Sequence, residues 1–126
     1  MGFVSVIRGN ASEKFAASYL KKYGYTVVAQ NFHSKFGEID IIAYDGDVLA
    51  FVEVKFRANT DFGQPSSYVD QRKQNKILKT ALHYMYREKI SDINIRFDVV
   101  ELIKDRCRAG KYQASILKNA FDIGEI

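Results

Sequence analysis

Between Gly37 and Phe56 the chain alternates as paired strands do. Ile39, Ile41, Ala43, Val48, Ala50, Val52, Val54 and Phe56 fall on one face of a hairpin, and all are apolar. The other face carries Glu38, Asp40, Glu53 and Lys55 at one end, with Ile42, Tyr44, Leu49 and Phe51 towards the turn. Asp45-Gly46 predicts a two-residue loop, since a type I′ turn needs positive φ at both positions. With that loop Tyr44 opposes Asp47, Asp40 opposes Phe51 and Glu38 opposes Glu53. Asp40 and Glu53 then become diagonal neighbours with Cα atoms about 7–8 Å apart. A slip by one residue would turn Asp40 into the apolar face, at a desolvation cost that argues for the two-residue loop.

The remaining pattern supplies five further elements. Asn10 or Ser12 is a candidate cap for a first helix, in which Phe15, Ala16, Tyr19 and Leu20 recur at helical spacing and Gly24 is the stop. "YTVVAQNFH" reads as a strand. "RANTDFGQPSSYV" reads as a loop, with Ser66 or Ser67 placed to start a long helix from Val69 to about Lys89. Its apolar stripe is Val69, Ile77, Leu78, Ala81, Leu82 and Met85. "INIRFDVVELI" is a strand, "DRCRAGK" a turn and "YQASILKNAF" a final short strand. The order α-β-β-β-α-β-β predicts an α/β fold, a central mixed sheet flanked by helices, with residues 1–126 forming one domain.

Composition narrows the class. With 126 residues, 47% of them hydrophobic, the chain can bury one real core. The lone Cys107 cannot form an internal disulfide, which points to a reducing, cytoplasmic compartment, and no catalytic motif surrounds it. No apolar run approaches the roughly 18 residues of a membrane helix, and "MGFVSVIRGN" is too short and too quickly polar for a secretory signal. A net charge of +4 suits a polyanionic partner without requiring one. The absence of a Walker loop, a GxSxG elbow and a Cys/His zinc pattern removes support for ATPase, hydrolase-elbow and zinc-finger readings.

Charge placement carries the chemistry. Carboxylates as close as Asp40 and Glu53 raise each other's pKa unless a cation intervenes. Lys55 supplies one cation, and a divalent ion that favours oxygen ligands, Mg²⁺ or Mn²⁺, is the stronger remedy. The plainer reading is a solvated strand end with cross-strand Glu–Lys pairs. Against it stand the clustering of charge at one end of one otherwise apolar face and a Glu-x-Lys one hairpin after the Asp. On the long helix Arg72, Lys76, Lys79, His83 and Arg87 form a basic stripe, which is either an ordinary solvated face or a phosphate-binding one. Lys73 and Gln74 follow the loop and border the acidic end. His83 lacks ligand spacing and reads as a polar helix residue. Asp98 reads as structural, paired with Arg96 or Arg57, while Tyr84, Tyr86, Phe97 and Phe121 read as core or interface. Glu38 is either a partner of Arg57 or Lys55 or the solvated strand end.

Asp40 followed by Glu53-Val54-Lys55 resembles the PD-(D/E)xK motif of the restriction-endonuclease-like superfamily. The stretches "RGNASEKFAASYLKKYGYTVVAQNF", "GEIDIIAYDGDVLAFVEVKFR", "FGQPSSYVDQRKQ", "RFDVVELI" and "NAF" together resemble the YraN-like uncharacterised protein family, related to archaeal Holliday-junction resolvases. The resemblance implies a restriction-endonuclease-like fold and a Mg²⁺- or Mn²⁺-dependent nuclease, acting on branched or structured DNA. In that scheme Asp40, Glu53 and the Val54 carbonyl ligate the metal, Lys55 positions or deprotonates the attacking water, and Glu13 completes the site. Arg57, Arg72, Lys73, Gln74, Lys76 and Lys79 would hold nucleic acid, and the resolvase likeness implies a homodimer. The chain departs from the pattern at Ile39, where the motif has Pro, and at Ser12, where the family has Gly. Two alternatives stay open: a nucleic-acid-binding module without turnover, and an interaction subunit using the tail around Phe121.

Overall fold

The computed structural model describes residues 3–57 and 70–121, with side chains from residue 11 onward. Its order is α1 (Phe3–Lys22), β1 (Thr26–Ser34), β2 (Gly37–Asp45), β3 (Val48–Arg57), α2 (Gln71–Arg87), β4 (Ile95–Lys104) and β5 (Tyr112–Leu117). The five strands form one sheet in sequence order. Only β3 and β4 run parallel, and α2 makes the crossover that a parallel pair requires. The α/β class and the α-β-β-β-α-β-β order expected from the sequence are therefore observed. Among the described residues no helix is long and apolar enough to cross a membrane.

Each face of the sheet carries a helix. Ala16, Ala17 and Leu20 of α1 pack on Ile41, Ala43, Ala50, Val52, Val100 and Leu102. Ile77, Ala81 and Tyr84 of α2 pack on Ile42, Leu49, Phe51, Phe97 and Val99 on the other side. Both hairpin faces are thus core, which explains why the face bearing Glu38, Asp40 and Glu53 is otherwise apolar. Tyr84 and Phe97 are buried as expected, Phe121 stacks on Phe97 at 5.0 Å, and Tyr86 is exposed. Leu82 and Phe56, expected in the apolar stripe and face, are exposed instead; Phe56 meets the Tyr112 ring edge-on at 5.6 Å.

Several local expectations are corrected. α1 begins at Phe3, so neither Asn10 nor Ser12 is its cap and Glu13 lies mid-helix. One glycine inside a helix costs only about 1 kcal/mol, too little for Gly9 to stop it. The cap of α2 is Asp70, whose side chain accepts from the Lys73 N–H at 2.9 Å; Ser66, Ser67 and Val69 lie outside the described residues. The hairpin loop is Gly46-Asp47 rather than Asp45-Gly46, because Asp45 pairs with Val48. Gly46 has φ +61°, as the first position of a II′ turn demands. The shift moves each opposed pair by two residues, so Ile42 faces Phe51 and Ile41 faces Val52. An even shift preserves parity, and the predicted faces survive it.

Ile39 is the exception. It packs in the α2-facing core while Ile41, two residues on, packs in the α1-facing core. The pairings Gln30↔Ile41 and Phe32↔Ile39 set Asn31 across from Asp40. Asn31 adopts φ +54°, a left-handed conformation that reverses which face the following residues address. Past this kink β2 leaves β3. Their ladder ends at Ile41↔Val52, whereas β1–β2 continues to Ser34↔Gly37 and β3–β4 to Arg57↔Ile103. A notch opens between β2 and β3 at that end of the sheet.

Candidate functional site

The notch is lined by the charged residues that interrupt the hairpin. Asp40 Oδ2 accepts the Val54 N–H at 2.8 Å, so a side chain substitutes for the backbone ladder that has ended. In a strand the N–H and C=O of one residue leave the same edge; the Val54 carbonyl therefore belongs to the β2-facing edge too. The space outside is an open cleft of about 390 Å³, bounded by Glu38, Asp40 and Glu53 from the strands and by Asp70, Arg72, Lys73 and Lys76 from the start of α2. Gly37 lies against the helix here, where backbone conformation rather than lack of space favours glycine. A Cβ there would stand 3.4 Å from Thr80 Oγ1 and 3.6 Å from Lys76 Cβ, on a backbone at φ +152°.

Three charges meet on one oxygen's surroundings. Lys73 Nζ lies 2.7 Å from Glu53 Oε1, and Lys55 Nζ lies 3.7 Å from the same atom. Burial, then the Glu53 charge, push the Asp40 carboxyl up to about 7, with the Val54 N–H opposing them in part. Burial, then the Lys73 ammonium, hold Lys55 below the usual lysine range. Burial also acts to lower Lys73, but its hydrogen bond to Glu53 and the Glu53 charge outweigh that, and its pKa rises.

Glu13 reaches the same neighbourhood from α1. Burial raises its carboxyl, an Asn31 hydrogen bond opposes that, and the charges of Glu38 and Glu53 raise it further. Its own charge in turn raises Asp40. Oε2 of Glu13 is buried with no hydrogen-bond partner.

Is this arrangement suited to a divalent ion? Among the described residues no three His, Cys, Asp or Glu side chains form a ready metal cluster. The donor chemistry nevertheless fits. Asp40 and Glu53 repel one another, offer only oxygen, and share an open cleft with room for water and a phosphate. Mg²⁺ commonly binds through one or two carboxylates, keeps several waters and takes the rest of its ligands from phosphate. Asp40 and Glu53 would hold the ion, with the Val54 carbonyl on the adjoining edge.

The other sequence-selected residues divide. Arg72 and Lys76 line the cleft beside Lys73; Lys79 lies exposed further along α2, and Gln74 is half-buried on the first turns. Arg57 does not face the cleft but lies buried against Glu101, at 2.8 Å. Glu38 pairs with His33 at 3.2 Å, both exposed, and not with Arg57 or Lys55. His83 packs its ring against Phe32 and Phe36. Asp98 is fully buried and accepts from Arg96, the Tyr25 hydroxyl and the Asn119 N–H, the structural part expected of it. Sequence reasoning missed Asp70 and Asn31. Asp70, directly before the helical run, is a capping signal legible in hindsight, whereas a left-handed Asn inside a strand leaves no periodic trace.

Fold and site together define a small α/β domain with an acidic notch at the divergent edge of two strands and a basic helix beside it. The chain belongs to a known family: residues 12–102 match the model of the Uncharacterised protein family UPF0102, in keeping with the YraN-like resemblance of its sequence. A UPF0102 protein of Clostridium botulinum (strain 657 / Type Ba4) is 43% identical over 116 residues, covering 91% of this chain and 94% of the relative. Another, from Persephonella marina, is 37% identical over 119 residues, covering 94% and 97%.

Proposed function

We propose that this protein is a metal-dependent nuclease that hydrolyses phosphodiester bonds of DNA at the β2–β3 notch. The observation that carries the reading is that Asp40 and Glu53 line one open cleft walled by Arg72, Lys73 and Lys76, with Lys55 Nζ 3.7 Å from Glu53 Oε1. A bound Mg²⁺ or Mn²⁺ supplies Lewis-acid stabilisation of charge at phosphorus and acidifies water. Asp40 and Glu53 hold that ion. Lys55, beside Glu53, positions the attacking water and helps take its proton as the new P–O bond forms, while solvent water protonates the leaving oxygen on the opposite side of phosphorus as the old bond breaks. Arg72 and Lys76 orient the phosphate backbone. Glu13, with its buried unpartnered oxygen, supports the acidic side of the notch.

Single-stranded, duplex and junction DNAs incubated with Mg²⁺ or Mn²⁺ test this. Wild type is expected to cleave at least one, and Asp40→Ala and Lys55→Ala to lose roughly 100-fold or more of that rate, the scale of a removed acid–base group. Full activity in both variants would dismiss the notch as the reaction centre. One observation favours a second reading, a binding module without turnover. Lys73 already neutralises Glu53 at 2.7 Å, so the acidic pair is partly satisfied by the protein's own ammonium. Salt-sensitive binding that survives Asp40→Ala, without cleavage by wild type, would select it.

A further inference from the structure

We infer that the β4–β5 turn is a second phosphate-contacting arm, which makes the ligand of this domain a nucleic-acid duplex extending beyond the notch. The inference rests on the nucleic-acid reading of the cleft and adds the shape and reach of the ligand.

Topology supplies the first half of the argument. β2 runs antiparallel to β3, β4 parallel to it and β5 antiparallel to β4. The N-terminal end of β2, the C-terminal ends of β3 and β4 and the β4–β5 turn therefore share one end of the sheet. Glu53 is level with Val99, and β4 continues from there to Lys104. Five residues of strand put the start of the turn roughly 16 Å beyond Glu53, one strand spacing of about 5 Å to the side. At 3.4 Å per base pair that is a reach of about five base pairs.

Charge supplies the second half. Lys104, Arg106, Arg108 and Lys111 against Asp105 alone give residues 104–111 a net +3, most of the chain's formal +4. The turn is built, not frayed. Asp105 is buried, its Oδ1 accepts from the Cys107 and Arg108 backbone N–H groups at 2.8 and 3.2 Å, and its N–H donates to the Lys111 carbonyl at 3.0 Å. Oδ2 takes the Arg108 guanidinium at 3.1 Å. The single negative charge is thus spent on folding the turn, while Lys104, Arg106 and Lys111 stand exposed on a fixed backbone. Exposed cations held on the same end as an acidic hydrolytic site fit a second stretch of phosphate backbone.

Cys107, the only cysteine in the chain and exposed at the tip, reports on the contact directly. Its alkylation by a neutral maleimide is followed on the full chain, divalent ions chelated, with duplexes of about 8 and about 20 base pairs. The expected result is several-fold protection by the longer duplex and little by the shorter. In parallel, Arg106→Gln/Lys111→Gln should flatten the dependence of log affinity on log salt by about 1.8, the value for two lost phosphate contacts. A duplex whose binding weakens with Lys76→Gln, yet leaves alkylation and that slope unchanged, would overturn the arm and spare the cleft. Failure of every nucleic acid to bind would overturn both.

Discussion

Asp40 sits where a carboxylate is least comfortable. It is half-buried at the edge of the cleft, close to Glu53 and Glu13, and holds one compensating hydrogen bond from Val54. Its folded-state pKa of about 7 exceeds the ordinary 3.8, so the folded chain binds this proton more tightly than the unfolded one. The stability so gained is fully present near pH 4 and is lost as pH rises towards and through 7. At 1.36 kcal/mol per unit the loss is on the order of 2–4 kcal/mol, allowing for partial exposure. Asp40→Asn keeps an acceptor for the Val54 N–H and removes the charge. Urea unfolding at pH 8 should find it more stable than wild type by about that amount, with the two converging near pH 4. A variant with no advantage at pH 8 would show that the carboxyl is not strained by its surroundings. Such strain is what a bound cation relieves, which ties this measurement to the proposed metal site.

At the level of elements, the notch exists because β1 and β2 bend together at Asn31 and Asp40. Asparagine tolerates the left-handed region better than other residues with a Cβ, and a β-branched side chain tolerates it worst. Asn31→Val is therefore expected to lose about 1–2 kcal/mol relative to Asn31→Gly, both lacking the hydrogen bond to Glu13. Thermal unfolding of the two distinguishes them, and equal midpoints would mean the bend is imposed by packing instead. The bend also marks the limit of what the sequence discloses. Alternation assigned the faces of β2 and β3 correctly around the turn because an error of two residues in register leaves parity intact. It failed at Ile39, where β2 changes face beside the left-handed Asn31 of β1, a bend that composition does not reveal. The helix starts were ambiguous for a related reason: Asn10, Ser12, Ser66, Ser67 and Asp70 are all competent caps, and only tertiary packing chooses among candidates of similar worth. Asp40, Glu53 and Lys55 were legible because charge inside an apolar alternation is conspicuous. Lys73 was recognised as a neighbour of the site, but its hold on Glu53 depends on how α2 docks over Gly37.

Across the whole molecule, the cations fall into two populations with different duties. Arg57, Arg96 and Lys118 are committed to carboxylates of the scaffold: Arg57 to Glu101, and Arg96 and Lys118 to Asp45, with Arg96 also on Asp98. Arg72, Lys76 and Lys79 on α2, with Lys104, Arg106 and Lys111 at the β4–β5 turn, lie at or near the surface of the notch end. Net charge alone cannot sort them, and the family resemblance counts Arg57 among the nucleic-acid contacts although it belongs to the scaffold. Its side chain and that of Glu101 are each 8% exposed. Removing one member of such a pair strands the other charge in the interior, at about 3–5 kcal/mol, whereas exchanging both for apolar residues is close to neutral. Arg57→Met should therefore unfold at markedly lower denaturant, and Arg57→Met/Glu101→Leu should recover most of the loss. Arg72→Gln, by contrast, should leave stability within about 0.5 kcal/mol and weaken DNA binding in a salt-dependent way. If Arg57→Met proved as stable as wild type but bound DNA less well, the division into scaffold and working cations would be wrong at the residue where the sequence is most misleading.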